Sequence, residues 1–157
     1  MDYGDNSKID GAAKILAYEF QDPSWLWEAL QAAGSSVSWV NKRKIEEGNK
    51  RLAGLGDRII SMSITDNAVE DNLSIGENNA LLQARASNSY LASTCDNIGL
   101  TCCINGNPSQ QGAVSARTKA TTVEATIGAV YKDGGLSSAE AVMRHLGMPV
   151  RMENLDQ

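Results

Sequence analysis

The chain has 157 residues, 42% of them hydrophobic and 21% charged, which suits about one globular domain with a buried core. No apolar run approaches the roughly eighteen residues that a membrane-spanning helix needs. The N-terminus, Met1-Asp2-Tyr3-Gly4-Asp5, lacks the basic and apolar regions of a signal peptide, so an intracellular location is expected, with export as the alternative. The net charge of -5 disfavours a polyanionic partner, but the basic residues are unevenly placed. Lys42, Arg43, Lys44, Lys50, Arg51 and Arg58 fall in one segment, opposed only by Glu46, Glu47 and Asp57. This cluster reads either as a solvated loop and helix start or as a patch that faces phosphates.

In chain order, Ile9, Ala12, Ala13, Leu16 and Phe20 recur at a helical period and predict a helix over 9–20. Asp22-Pro23 is a helix start, and a second helix is expected over 23–33, stopped by Gly34. Residues 35–46 read as a loop. A long helix is expected over 47–70, with Leu52, Leu55, Ile59, Ile60, Ile64 and Val69 as its buried stripe. Gly48, Gly54 and Gly56 within it would each cost about 1 kcal/mol relative to Ala, which suggests close helix packing. Residues 72–80 read as a connector and 81–98 as one further helix. Residues 101–104 are expected to be extended, and 105–112 to form a turn-rich loop. A helix over 116–132 presents Val123, Ile127 and Val130. Asp133-Gly134-Gly135 ends it, and Ser137 or Ser138 caps a last helix to about residue 146. No strand pattern is strong, so the fold class is all-α. Residues 1–8 are expected to be a flexible N-terminus, 9–147 the domain and 148–157 a C-terminal tail. Cys95, Cys102 and Cys103 have no zinc-ligand spacing; reduced thiols are expected, with a bridge from Cys95 to Cys102 or Cys103 as the exported alternative. His145 is expected to be structural or solvated.

Two stretches stand out, Gly48-Asn49-Lys50-Arg51-Leu52-Ala53-Gly54-Leu55-Gly56-Asp57-Arg58-Ile59-Ile60 and Thr121-Thr122-Val123-Glu124-Ala125-Thr126-Ile127-Gly128-Ala129-Val130-Tyr131-Lys132-Asp133-Gly134-Gly135. They resemble the two signature helices of the ribonuclease III endonuclease domain, roughly N-E-R-L-E-F-L-G-D and D-x-F-E-A-L-I-G-A-I-Y-L-D-G-G. Leu16-Ala17-Tyr18-Glu19-Phe20 is similar to the family's L-G-Y-x-F opening, and Ser87-Asn88-Ser89-Tyr90-Leu91-Ala92 to its S-N-x-x-L-A helix. Where the family ends its second helix in threonine-histidine-serine, this chain reads Gln31-Ala32-Ala33-Gly34-Ser35, so those polar contacts are not expected. Gly54 replaces a family aromatic; a large neighbour such as Trp25, Trp27 or Trp39 is expected to fill the gap.

The resemblance implies a fold, a substrate and a metal site. Ribonuclease III enzymes hydrolyse double-stranded RNA with Mg²⁺ held by four carboxylates, two on each signature helix, and hard cations of this kind want oxygen ligands. The matching positions here are Ala53 and Asp57 on the first helix and Thr121 and Glu124 on the second. Asp57 and Glu124 are the retained catalytic and metal-ligand candidates; Ala53 and Thr121 are degenerate. Glu46 and Glu47 lie too many positions before Ala53 to stack with it at i±3 or i±4. Losing two negative charges weakens divalent binding steeply. The retained pair is therefore expected either to be held by Lys50, Arg51, Arg58, Arg117 or Lys119 as buried ion pairs or to keep a weak metal site. The expected function is binding of structured or double-stranded RNA, or of an RNA–protein assembly, with cleavage impaired or absent. Lys42, Arg43, Lys44, Lys50 and Arg51 are the candidate RNA contacts, and the family implies a homodimer. An active, divergent Mg²⁺-dependent endoribonuclease and a pure protein-interaction domain are the alternatives. Only about ten residues follow the last expected helix, so no separate double-stranded-RNA-binding domain is expected.

Overall fold

The computed structural model describes residues 6–148 and Val150. Helix α1 (Asn6–Leu16) buries Ile9, Ala12 and Leu16. It begins inside the stretch expected to be a flexible N-terminus and ends before 20, because Ala17 turns left-handed with φ 52°. The segment after it is pinned by Asp133, whose carboxylate accepts hydrogen bonds from Tyr18 Oη (2.7 Å), Gln21 N (2.9 Å) and Asp22 N (2.8 Å). Burial and the hydrogen bond to Asp133 push the Tyr18 phenol up to about 12.

Helix α2 (Ser24–Ala29) is shorter than the predicted 23–33. The chain leaves the helix because Gln31 forms an isolated parallel bridge with Asn105: Asn105 N donates to Leu30 O at 2.8 Å and Ala32 N to Asn105 O at 3.0 Å. The 35–46 loop contains a minimal antiparallel hairpin, β1 (Trp39–Val40) with β2 (Arg43–Lys44), in which Trp39 faces Lys44 and Val40 faces Arg43.

Helix α3 (Lys50–Glu70) begins three residues later than predicted. Glu47 and Gly48 both have positive φ, and a Cβ at Gly48 would overlap the Gln31 and Ala32 backbone, so Gly48 serves the turn before the helix. The expected connector is instead helix α4 (Ile75–Arg85), started by a reciprocal capping box between Ser74 and Glu77. Helix α5 (Asn88–Asn97) is separate, capped by Ser87, so the single predicted helix over 81–98 is broken at Ala86. Thr101–Cys103 is a 3₁₀ turn rather than extended chain.

Helix α6 (Ala116–His145) joins both C-terminal predictions; its one non-helical residue, Gly135 at φ 84° and ψ -175°, marks the expected break. Leu16, Leu26, Leu30, Ile60, Leu91, Leu100, Ile127 and Met143 are fully buried and form one core. Met148, assigned to the tail from sequence, is buried in that core, and Asn67 Nδ2 donates to Val150 O at 2.7 Å. The rest of the expected tail lies outside the described residues. The all-α class holds, since the two-residue strands are the only sheet among the described residues.

Candidate functional site

The site is built on the crossing of α3 and α6, and glycine sets their separation. A Cβ at Gly56 would overlap the carbonyl oxygen of Glu124, and one at Gly128 would overlap that of Leu52. Each glycine thus admits the backbone of the other helix, as the cost of a glycine at Gly56 suggested. At Gly54 the outcome differs from expectation. A Cβ there would meet only Arg58 Nη1, at 3.7 Å, and no tryptophan fills the position. Arg58 instead folds back and donates to Gly54 O at 2.9 Å.

Close approach sets the Asp57 carboxyl of α3 against the Glu124 carboxyl of α6. Burial and the neighbouring Asp57 carboxyl push the Glu124 carboxyl up to about 8. The ion pairs expected from the sequence do not form. Lys50 pairs with Glu47 at 3.2 Å, Arg51 with Glu28 at 3.4 Å and Lys119 with Asp96 at 3.0 Å. Among the described residues Asp57 and Glu124 have no basic partner.

The two neutral positions lie in different surroundings. Ala53 is only 6% exposed and packs in a cluster of Ala29, Leu52, Ala125 and Ala129, with Trp25 and Phe20 against it. Thr121 is half-buried and donates its hydroxyl to Arg117 O at 2.8 Å. No group of three or more His, Cys, Asp or Glu side chains that could hold a metal occurs among the described residues. The carboxyl donors at the crossing are Asp57 and Glu124, two fewer than the resemblance implies, and a divalent ion held there would have to displace the Glu124 proton and keep most of its own water ligands.

Three buried polar groups missed in the sequence join the elements around the start of α3. Asn49 is buried, and its Nδ2 donates to Ala29 O at 2.7 Å and to Thr122 Oγ1 at 3.1 Å, tying α2, α3 and α6 together. Its place in the family's N-E-R-L-E motif was the available signal. Gln31, standing in the region of the family's threonine-histidine-serine, is fully buried. Its Nε2 donates to Trp27 O at 2.9 Å, and its Oε1 accepts from Ser35 Oγ at 3.0 Å and Asn105 Nδ2 at 2.7 Å. Glu28 is fully buried as well; Arg43 Nε lies at 2.9 Å and Arg51 Nη2 at 3.4 Å.

That ion cluster divides the basic segment. Arg43 also donates to Ser24 Oγ at 3.2 Å and stacks 3.8 Å from the Trp25 ring centre. Lys42 and Lys44 remain exposed, Lys44 only loosely paired with Glu46 at 3.9 Å. Cys95, Cys102 and Cys103 are free thiols, Cys95 and Cys103 buried and Cys102 exposed, while His145 is exposed at the end of α6.

A short-helix domain with two long helices crossing on glycines, and one carboxyl from each meeting at the crossing, is the arrangement that the resemblance implied. Residues 27–150 match the family described as Ribonuclease-III-like. The chain belongs to that family. It is 34% identical over 148 residues to Ribonuclease 3 of Symbiobacterium thermophilum, covering 88% of this chain and 59% of that protein. It is 31% identical over 147 residues to Ribonuclease 3 of Wolbachia pipientis, covering 87% and 61%. The chain thus spans about three fifths of the length of these relatives. Its fold is that of the nuclease domain of Campylobacter jejuni ribonuclease III. One structure of that domain gives a TM-score of 0.76 at 22% identity, covering 88% of this chain and 94% of that one; a second gives 0.72 at 21%, covering 95% and 97%.

Proposed function

We propose that this chain is a catalytically degenerate ribonuclease III domain that binds structured or double-stranded RNA, or an RNA–protein assembly, with metal-dependent cleavage impaired or absent. The observation that carries this reading is the replacement of two acidic ligands at the helix crossing by Ala53, buried among other alanines, and Thr121. Asp57 and Glu124 alone supply half the negative charge of the four-carboxylate site that the family implies, so a divalent cation would be held only weakly there. Binding to RNA would use the exposed Lys42, Lys44, Lys50 and Arg51, with Arg43 more committed to Glu28. A homodimer, as the family implies, would place two such surfaces in one groove.

The test is cleavage of a labelled RNA duplex with Mg²⁺ or Mn²⁺. No turnover is expected; turnover abolished by Asp57→Asn or Glu124→Gln would overturn the reading. Retention of the Asp57–Glu124 pair favours a second reading, a divergent metal-dependent endoribonuclease, which that same result would establish. Absence of duplex binding at low salt would leave the protein-interaction alternative.

A further inference from the structure

Where the starts of α3 and α6 meet lies a cavity of about 230 Å³ lined by Ala33, Asn49, Lys50, Gln110, Ser115, Arg117, Thr118 and Thr121, the last of these lying three residues before Glu124 on α6. Its lining contains two cations and no carboxylate. Arg117 is exposed and has no carboxylate partner among the described residues. Lys50 meets only the exposed Glu47, a pair worth little and easily exchanged for a stronger anion. The starts of two long helices also meet here. Asn49, at the N-cap of α3, makes no side-chain cap, so its first-turn amides are not taken up by that residue. Ser115 caps α6 through Thr118 N and also donates to Thr118 Oγ1, which leaves the Thr118 hydroxyl hydrogen available to a ligand.

Thr121 is what makes the cavity cationic. Its hydroxyl is spent on Arg117 O, so it adds no charge to the lining. An aspartate at this position, as the family pattern has, would place a carboxylate against Lys50 and Arg117 and neutralise much of the attraction for an anion. The same change that removes a metal ligand therefore favours a phosphate next to it.

We infer that this cavity is a seat for one phosphate group, held by Lys50, Arg117, the Thr118 hydroxyl and first-turn amides of α3. Guanidinium and ammonium groups together with helix-start amides are the donors that phosphate oxygens require. The inference rests on the proposed RNA-binding reading for the source of the phosphate, a backbone phosphodiester, rather than a free phosphomonoester. A duplex gripped there would lie along α6 past Thr121 towards Glu124, so the domain would keep hold of RNA at the place where it has lost metal ligands.

The test uses the whole chain and two probes. Inorganic phosphate, followed by backbone-amide NMR, is expected to shift Lys50–Arg51 and Arg117–Thr118 resonances, and Lys50→Ala with Arg117→Ala, or Thr121→Asp alone, is expected to abolish those shifts. An RNA duplex is expected to lose about tenfold in affinity in the double variant, and the salt dependence to fall by about one per cation removed. Absence of phosphate shifts at these residues overturns the seat whether or not RNA binds. Duplex binding with unchanged affinity and salt slope in the double variant overturns the RNA source while leaving the proposed function standing. Phosphate shifts without any duplex binding keep the seat, reassign it to a phosphomonoester and overturn the RNA-binding reading. All three substitutions are at exposed or half-buried positions, and an unchanged melting temperature checks that the fold persists.

Discussion

Glu28 has no exposed side-chain surface, yet its charge is met by Arg43 at 2.9 Å and Arg51 at 3.4 Å. Removing one partner of a buried pair is costly because the other charge stays in a poorly solvated place. Arg43→Ala should therefore destabilise the fold by about 3 kcal/mol in urea unfolding. Lys42→Ala, at an exposed neighbour, should change stability by less than about 0.5 kcal/mol. Equal effects would mean that Arg43 is solvated and belongs with the surface patch. A second residue-scale expectation concerns the Glu124 proton. Glu124 is raised from 4.5 to about 8 by burial and by Asp57, so the folded state binds its proton more tightly than the unfolded chain does. The sign follows from linkage: below about 4.5 the contribution is complete, and it is lost as pH rises through about 8. That shift corresponds to ~5 kcal/mol at most, and screening at a half-buried carboxyl reduces the expected loss to ~2 kcal/mol. Denaturation midpoints between pH 5 and 8.5 should fall for the native chain and stay flatter for Glu124→Gln. A native profile that rises over this interval would show that folding does not raise the affinity of Glu124 for its proton.

At the scale of the element, the α3–α6 crossing separates three glycines that look alike in sequence. Gly56 and Gly128 face opposing carbonyls, whereas Gly54 has only Arg58 nearby. Gly56→Ala and Gly128→Ala should force the helices apart and cost at least about 3 kcal/mol each, the upper range of overpacking. Gly54→Ala meets an ordinary contact and should stabilise by up to about 1 kcal/mol through helix propensity. Thermal melts of the three single variants check the opposed signs. The sequence placed the long helices and Gly56 because a strong apolar period and a two-motif match both act locally. It did not place α4, which buries no residue and so carries no apolar stripe to read. The early end of α2 was also hidden, because the cause is a bridge to Asn105 far along the chain. At the site, Asp57 and Glu124 stood out by motif position, but their closeness did not: spacing within each helix says nothing about how closely two helices cross. The Glu28 cluster escaped notice for a similar reason, since a Glu in a helix ordinarily reads as a solvated face.

For the whole molecule, the proposed degenerate reading asks whether the fold could take back carboxylates at positions 53 and 121. The two positions answer differently. Thr121 sits half-buried at a cavity rim, so Thr121→Asp should be tolerated within about 1 kcal/mol. Ala53 is enclosed by Ala29 of α2, Leu52 of α3 and Ala125 and Ala129 of α6, so Ala53→Glu must move a helix or bury a charge and should cost about 3 kcal/mol. Combined, the substitutions would supply four carboxylates, and a divalent ion that binds only the folded state would then stabilise it by mass action. The expected pattern is a double variant less stable than the native chain in chelator, with a melting temperature that rises on addition of Mn²⁺ or Mg²⁺. The native chain should show no comparable rise. If it gains as much as the double variant does, Asp57 and Glu124 already hold metal in the native protein, and the degenerate reading fails. If neither responds, while Ala53→Glu is as stable as the native chain, the alanine cluster has been misjudged as rigid packing, and the barrier to restoring metal lies elsewhere in the fold.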